Sequence, residues 1–150
     1  MITFSEQEQA VLDEALNILR KHINNNDVFK SPETTKNYLC IKMAGIEREQ
    51  FNVLFLDNQN RLIDDVTMFE GTIDACSVYP RVIVQKALEL NASSMIIYHQ
   101  HPSGNPEPSQ ADRRITRRLS GALNLVDIRV LDHFIVGGDS VVSVAERGWI

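Results

Sequence analysis

SSMIIYHQHPSGNPEPSQADRRITRRLSGALNL, residues 93–125, decides the fold. Its apolar centre, Met95 to Tyr98, is too short for a helix and reads as a buried strand. Pro102, Pro106 and Pro108 stiffen the loop that follows, and Gly104 allows a tight bend in it. Ser109 then opens a helix whose apolar positions run to Leu125. A buried strand feeding a helix through a short loop is the unit of a layered α/β domain. Such sheets place their ligands at the carboxyl ends of the strands, where His99 and His101 stand.

The remaining elements extend that unit in both directions. Ser5 and Glu8 make a capping box, and Val11, Leu12, Ala15, Leu16, Leu19 and Ile23 recur at helical spacing. The tract NNND (24–27) breaks the pattern. Ser31-Pro32 restarts a helix with Tyr38, Leu39, Ile41 and Met43 as its apolar positions and Gly45 as its stop. EQFNVLFLD reads as a strand buried on both faces, and DNQN (57–60) turns it into a second strand, so 49–73 is a hairpin. PRVIVQKALELN is a helix, and DIRVLDHFIVGG and SVVSVAE close the chain as two strands. The order α α β β α β α β β predicts one α/β layered domain over 1–150, a mixed β-sheet with helices packed on it. Residues 1–30 form an N-terminal helical extension. At 150 residues the chain fits a single core, and 43% hydrophobic with 23% charged residues is ordinary globular composition. No apolar run is long enough for a membrane span, and the first residues have no leader pattern, so a cytoplasmic protein is expected. Cys40 and Cys76 are expected to be reduced, and they exclude a four-cysteine zinc site. The net charge of -5 argues against strong non-specific binding to nucleic acid.

The period of two in a strand puts His99 and His101 on one side, where two imidazoles can share an ion. Asp112, in the first turn of the next helix, can add an oxygen. Two histidines and an aspartate make a three-ligand zinc (Zn2+) site that leaves a place for water. Zinc lowers the pKa of that water, and hydrolysis then needs a general base and an oxyanion donor. Ser109, one turn before Asp112, is placed for the donor role. Ser109 and Asp112 are equally a Ser-x-x-Asp helix start, which would cap the helix with no metal involved. Taken alone, the residues do not choose a base among Glu47, Glu49 and Glu70. Glu49, at the end of an apolar strand, can lie near the metal with a controlled pKa.

HxHPSG followed by PSxxD resembles the metal-binding signature of the JAMM (MPN+) metalloproteases. From about residue 31 to the end, the chain more closely resembles the RadC-like branch long labelled a DNA repair family. The matching stretches are EQFNVLFLDNQNRLI, MFEGTI, VYPR, KALELNA, HQHPSGNPEPSQAD, LVDIRVLDHFIVG and AERGW. The resemblance implies a three-layer mixed β-sheet with flanking helices, a JAMM/MPN core related to the cytidine-deaminase-like α/β/α fold. It also implies zinc on His99, His101 and Asp112, help from Ser109, and Glu49 as the base. It is to the short form, without the helix-hairpin-helix region of longer members. Gln100, where Asn is usual between the histidines, is expected to point away from the metal. Val66 and Tyr79 are further departures, both at the rim of the cleft. A deaminase is excluded, because neither H-x-E nor P-C-x-x-C occurs.

Three functions compete at this level. One is a zinc-dependent peptidase or isopeptidase acting on a peptide or protein substrate. Another is a nucleic-acid-associated repair factor, for which Arg113, Arg114, Arg117 and Arg118 would form the contact stripe. That stripe reads more simply as a solvated helix face. The last is a non-catalytic, zinc-stabilised interaction module. His133 reads as a hydrogen-bonded structural histidine, and His22 as a surface residue.

Overall fold

The computed structural model describes residues 3–25, 31–71 and 78–150, with side chains of 23–25 left aside. Cys76, Ile23, residues 26–27 of the NNND tract and the last two positions of the expected hairpin lie outside the described side chains or residues. Among the described residues nine elements follow in the expected order: α1 (Glu6–Asn25), α2 (Pro32–Met43), β1 (Gln50–Leu56), β2 (Leu62–Glu70), α3 (Pro80–Glu89), β3 (Ser94–Gln100), α4 (Gln110–Asn124), β4 (Arg129–Gly137) and β5 (Ser140–Ser143). The five strands form one mixed sheet in the order β2-β1-β3-β4-β5. Only β3 and β4 run parallel, joined by the α4 crossover; the other pairs are antiparallel.

The sheet divides the chain into three layers by strand alternation. Phe51, Val53, Phe55, Met95 and Ile97 face α3 and α4, where Ile83, Ala87, Ile115, Leu119 and Leu123 complete one core. Leu54, Leu56, Ile96, Tyr98, Phe134 and Val136 face the opposite way, onto Tyr38, Leu39 and Met43 of α2 with Leu16 and Leu19 of α1. Both faces of β1 and β3 are therefore covered, which is why both strands read as continuous apolar runs. At the edge, β2 is half exposed.

The α1/α2 face also carries a polar knot. Asp65 accepts hydrogen bonds from Tyr38 Oη and Tyr98 Oη, both at 2.6 Å, and pairs with Lys42 Nζ at 3.3 Å. Burial first, and the neighbouring carboxylate second, push both tyrosine pKa values up.

Sequence and structure differ at three points. Helix α1 runs two residues into the NNND tract, through Asn25. Val11 is 66% exposed rather than on the inward stripe. SVVSVAE is a strand only to Ser143. There the chain curls around the Asp132 carboxylate, which accepts from Ser143 Oγ and, at 3.0 Å, from the Ala145 amide. Ser143 Oγ in turn accepts the Glu146 amide at 3.0 Å, closing a turn instead of a ladder.

Candidate metal centre

Strand β3 delivers His99 and the loop after it delivers His101, at the sheet end predicted from the strand-loop-helix unit. Phe51 of β1 pairs with His99, a register that carries Glu49 to the level of His101. Helix α4 starts beside them with Ser109 as N-cap. Ser109 Oγ accepts the Asp112 amide at 3.0 Å, and Asp112 Oδ2 accepts the Ser109 amide at 2.7 Å, a complete capping box. The capping reading of Ser-x-x-Asp is therefore correct, and Asp112 does more besides.

His99 Nε2 lies 3.1 Å from His101 Nε2 and 3.1 Å from Asp112 Oδ1; His101 Nε2 lies 3.2 Å from Asp112 Oδ2. Ligands at zinc-like bond lengths in a tetrahedron stand about 3.3 Å from one another, so these spacings suit one ion. Glu49 Oε1 is 4.0 Å from His99 Nε2. One donor atom from each of Glu49, His99 and His101 lies within 4.8 Å of the others, so these three form a group that can hold a metal ion. Two carboxylates thus approach the imidazole pair. Asp112, 2% exposed, is the nearer and the more deeply buried; Glu49, 15% exposed, stands further off.

The electrostatics follow from this packing. Burial pushes the Asp112 pKa up, but hydrogen bonds with His101 and His99 outweigh it and hold the carboxyl well below its usual range. The same bond with Asp112 raises the pKa of His101. His133 is fully enclosed, and burial drives its pKa well down, so the ring is neutral.

His101 Nδ1 is 2.8 Å from the Asn105 carbonyl oxygen. A carbonyl only accepts, so Nδ1 carries a proton, and in the neutral ring Nε2 is the nitrogen with a lone pair for the site. His99 Nδ1 lies 2.8 Å from His133 Nε2, and His133 Nδ1 lies 2.6 Å from Thr116 Oγ1. The His133 reading as a bonded, buried residue thus holds, but its partner is the His99 ring of the candidate site. Phe51 stacks on His99, with ring centres 6.2 Å apart. Gln100 points away from the imidazoles, as expected, and reaches across to β1. Its Oε1 accepts the Gln50 amide at 3.0 Å and its Nε2 donates to the Arg48 carbonyl, one bond on each side of Glu49.

Thr116, Asn105 and Gln100 were not singled out for such contacts by sequence. Thr116 was within reach of reasoning: it stands four residues after Asp112, on the same helix face. Asn105 and Gln100 act across the fold and leave no local signal. In the arginine stripe, Arg113 lies 4.7 Å over the Trp149 ring, while Arg114, Arg117 and Arg118 are exposed. His22 is exposed as well. No helix among the described residues is long and apolar enough to cross a membrane.

Residues 29–149 match the family described as RadC-like JAB domain. The chain belongs to that family. It is similar to a UPF0758 protein of Vibrio vulnificus, 61% identical over 144 residues, which is 96% of this chain and 64% of that relative. A UPF0758 protein of Vibrio cholerae is 57% identical over 143 residues, covering 95% of this chain and 90% of the relative. The chain thus spans less than two thirds of the Vibrio vulnificus relative's length. The RadC-like match runs through every residue of the imidazole and carboxylate cluster and through the sheet that carries it.

Proposed function

We propose that the chain is a zinc-dependent hydrolase that cleaves a peptide or isopeptide bond. In this reading His99, His101 and Asp112 hold the ion, Glu49 is the general base, and Ser109 steadies the developing oxyanion. The observation that carries it is the convergence of two imidazole nitrogens and a buried carboxylate at 3.1–3.2 Å spacings, with a second carboxylate 4.0 Å away. Zinc, when bound, supplies a Lewis acid that polarises a carbonyl and eases deprotonation of water.

The chain's own residues divide the remaining work. Asp112 remains ionised at neutral pH, so it is charged whenever the imidazoles are ready to bind a cation. Glu49 sits where a carboxylate can take a proton from water and return it to the leaving amine. Gln100 holds the backbone on both sides of Glu49, which keeps that carboxylate in place. Ser109 is exposed at the rim, and its hydroxyl hydrogen is what it has to offer an oxyanion. An open cleft of about 780 Å³ begins at His101 and is walled by Ile41, Met43, Ile46, Pro102 and Val136. Such apolar walls suit a side chain of a peptide substrate.

Metal analysis combined with a Glu49→Gln variant tests this reading. The purified chain should hold about one zinc, lose it on His99→Ala, and keep it in Glu49→Gln with hydrolysis abolished. A chain that binds no metal with both histidines intact refutes the proposal. Full turnover by Glu49→Gln removes Glu49 as the base.

A further inference from the structure

His99 touches more than the candidate ion. Behind it stand His133 and Thr116, buried in the layer between the sheet and α4. His99 Nδ1 to His133 Nε2 is 2.8 Å, His133 Nδ1 to Thr116 Oγ1 is 2.6 Å, and Thr116 Oγ1 to the Asp112 carbonyl is 2.7 Å. The chain of contacts therefore begins on one metal-site residue and ends on the backbone of another.

The proton count along it admits one direction once His99 Nε2 lends its lone pair to a cation. A neutral imidazole carries one N–H, so that of His99 moves to Nδ1 and donates to His133 Nε2. His133 must then carry its own proton on Nδ1, which donates to Thr116 Oγ1. The hydroxyl has a single hydrogen, and it goes to the Asp112 carbonyl, which can only accept. Every buried donor finds an acceptor. In the reverse direction His133 Nε2 donates to His99 Nδ1, which puts the His99 proton on Nε2 and closes that nitrogen to a metal.

We propose that Thr116 and His133 are positioning residues that set the tautomer and orientation of His99 for metal binding. This rests on the reading of His99 as a ligand. Neither residue touches the ion. Outer hydrogen-bond partners of metal-binding histidines are usually carboxylates or carbonyls. Here a neutral histidine takes that role, and it is competent only because Thr116 accepts its other nitrogen's proton.

Thr116→Val keeps the shape of the side chain and removes the acceptor. Zinc affinity of the full chain, measured by competition with a chromophoric chelator, should fall about 10–100-fold. Thr116→Ser, which restores the hydroxyl, should bring it back. Thr116→Val with wild-type affinity, beside a His99→Ala variant that has lost zinc, overturns the relay and leaves the metal reading standing. Wild-type affinity in His99→Ala refutes both. Nitrogen NMR of the zinc-loaded wild-type imidazoles decides the matter without any variant, should Thr116→Val fail to fold. His133 should show a protonated Nδ1 and a bare Nε2, and the opposite tautomer refutes the proposal.

Discussion

Replacing Gly137 by alanine should loosen the candidate metal site from behind the loop that carries His101. Gly137 ends β4 directly beneath the 104–106 segment. A Cβ built there would stand 2.7 Å from the Asn105 carbonyl carbon and 2.7 Å from the Gly104 oxygen, and closer still to Pro106 N. All three are backbone atoms, so no side chain can swing aside. Ordinary contact begins near 3.4 Å. The loop must therefore recede by about 0.7 Å or more before dispersion contacts become favourable again. That motion carries off the Asn105 carbonyl, which accepts from His101 Nδ1 at 2.8 Å and so keeps Nε2 aimed at the site. Overpacking of this kind costs about 1–3 kcal/mol of stability, and loss of a metal histidine's orienting partner weakens metal binding about 10–100-fold. A thermal melt of the metal-free chain and a chelator competition measure the two effects separately. G137A with an unchanged melt and unchanged metal affinity would refute the view that this contact seats the loop.

Three further outcomes are expected. Gln100→Leu breaks both bonds flanking Glu49; turnover should drop by up to about 10²-fold with metal content intact, and an unchanged kcat would show that Glu49 needs no such brace. Tyr98→Phe removes a charge-assisted bond to Asp65 on the far face of the sheet. It should cost about 1.5–3 kcal/mol in denaturant melts and leave metal affinity untouched, whereas a loss of metal would show the two faces to be coupled. Because Asp112 raises the His101 pKa, the ring in the metal-free chain is protonated above the ordinary histidine value. Protons thus compete with the ion sooner: apparent affinity should begin to fall above about pH 6.5 and keep falling in acid. A profile that stays flat in chelator competition down to about pH 5 contradicts that.

How much of this was legible beforehand depended on range. Elements with local signatures came through: the Ser5/Glu8 and Ser109/Asp112 caps, the apolar runs of β1 and β3, and the turn between β1 and β2 are all written in neighbouring residues. So was the pairing of His99 with His101, because strand alternation puts them on one side. Asp112 was legible as a candidate but ambiguous, since one carboxylate serves both the cap and the cluster. Glu49 was out of reach of local reasoning. The family resemblance picked it out from Glu47 and Glu70, and the β1–β3 register, which sets Phe51 against His99, brings it to the level of the cluster. The premature end of β5 was hidden for a similar reason: SVVSVAE is rich in strand-forming valine, but a buried carboxylate, Asp132, captures the Ser143 hydroxyl and the Ala145 amide.

The double use of Asp112 also gives the molecule a built-in gauge. Its Oδ2 accepts the Ser109 amide at 2.7 Å and faces His101 Nε2 at 3.2 Å. Any cation drawing electron density from that oxygen must weaken its hold on the amide proton. The exchange rate and proton shift of the single Ser109 amide therefore register occupancy of the cluster from the outside of the helix. A solution spectrum can follow the filling of the site without substrate, turnover or a coloured metal.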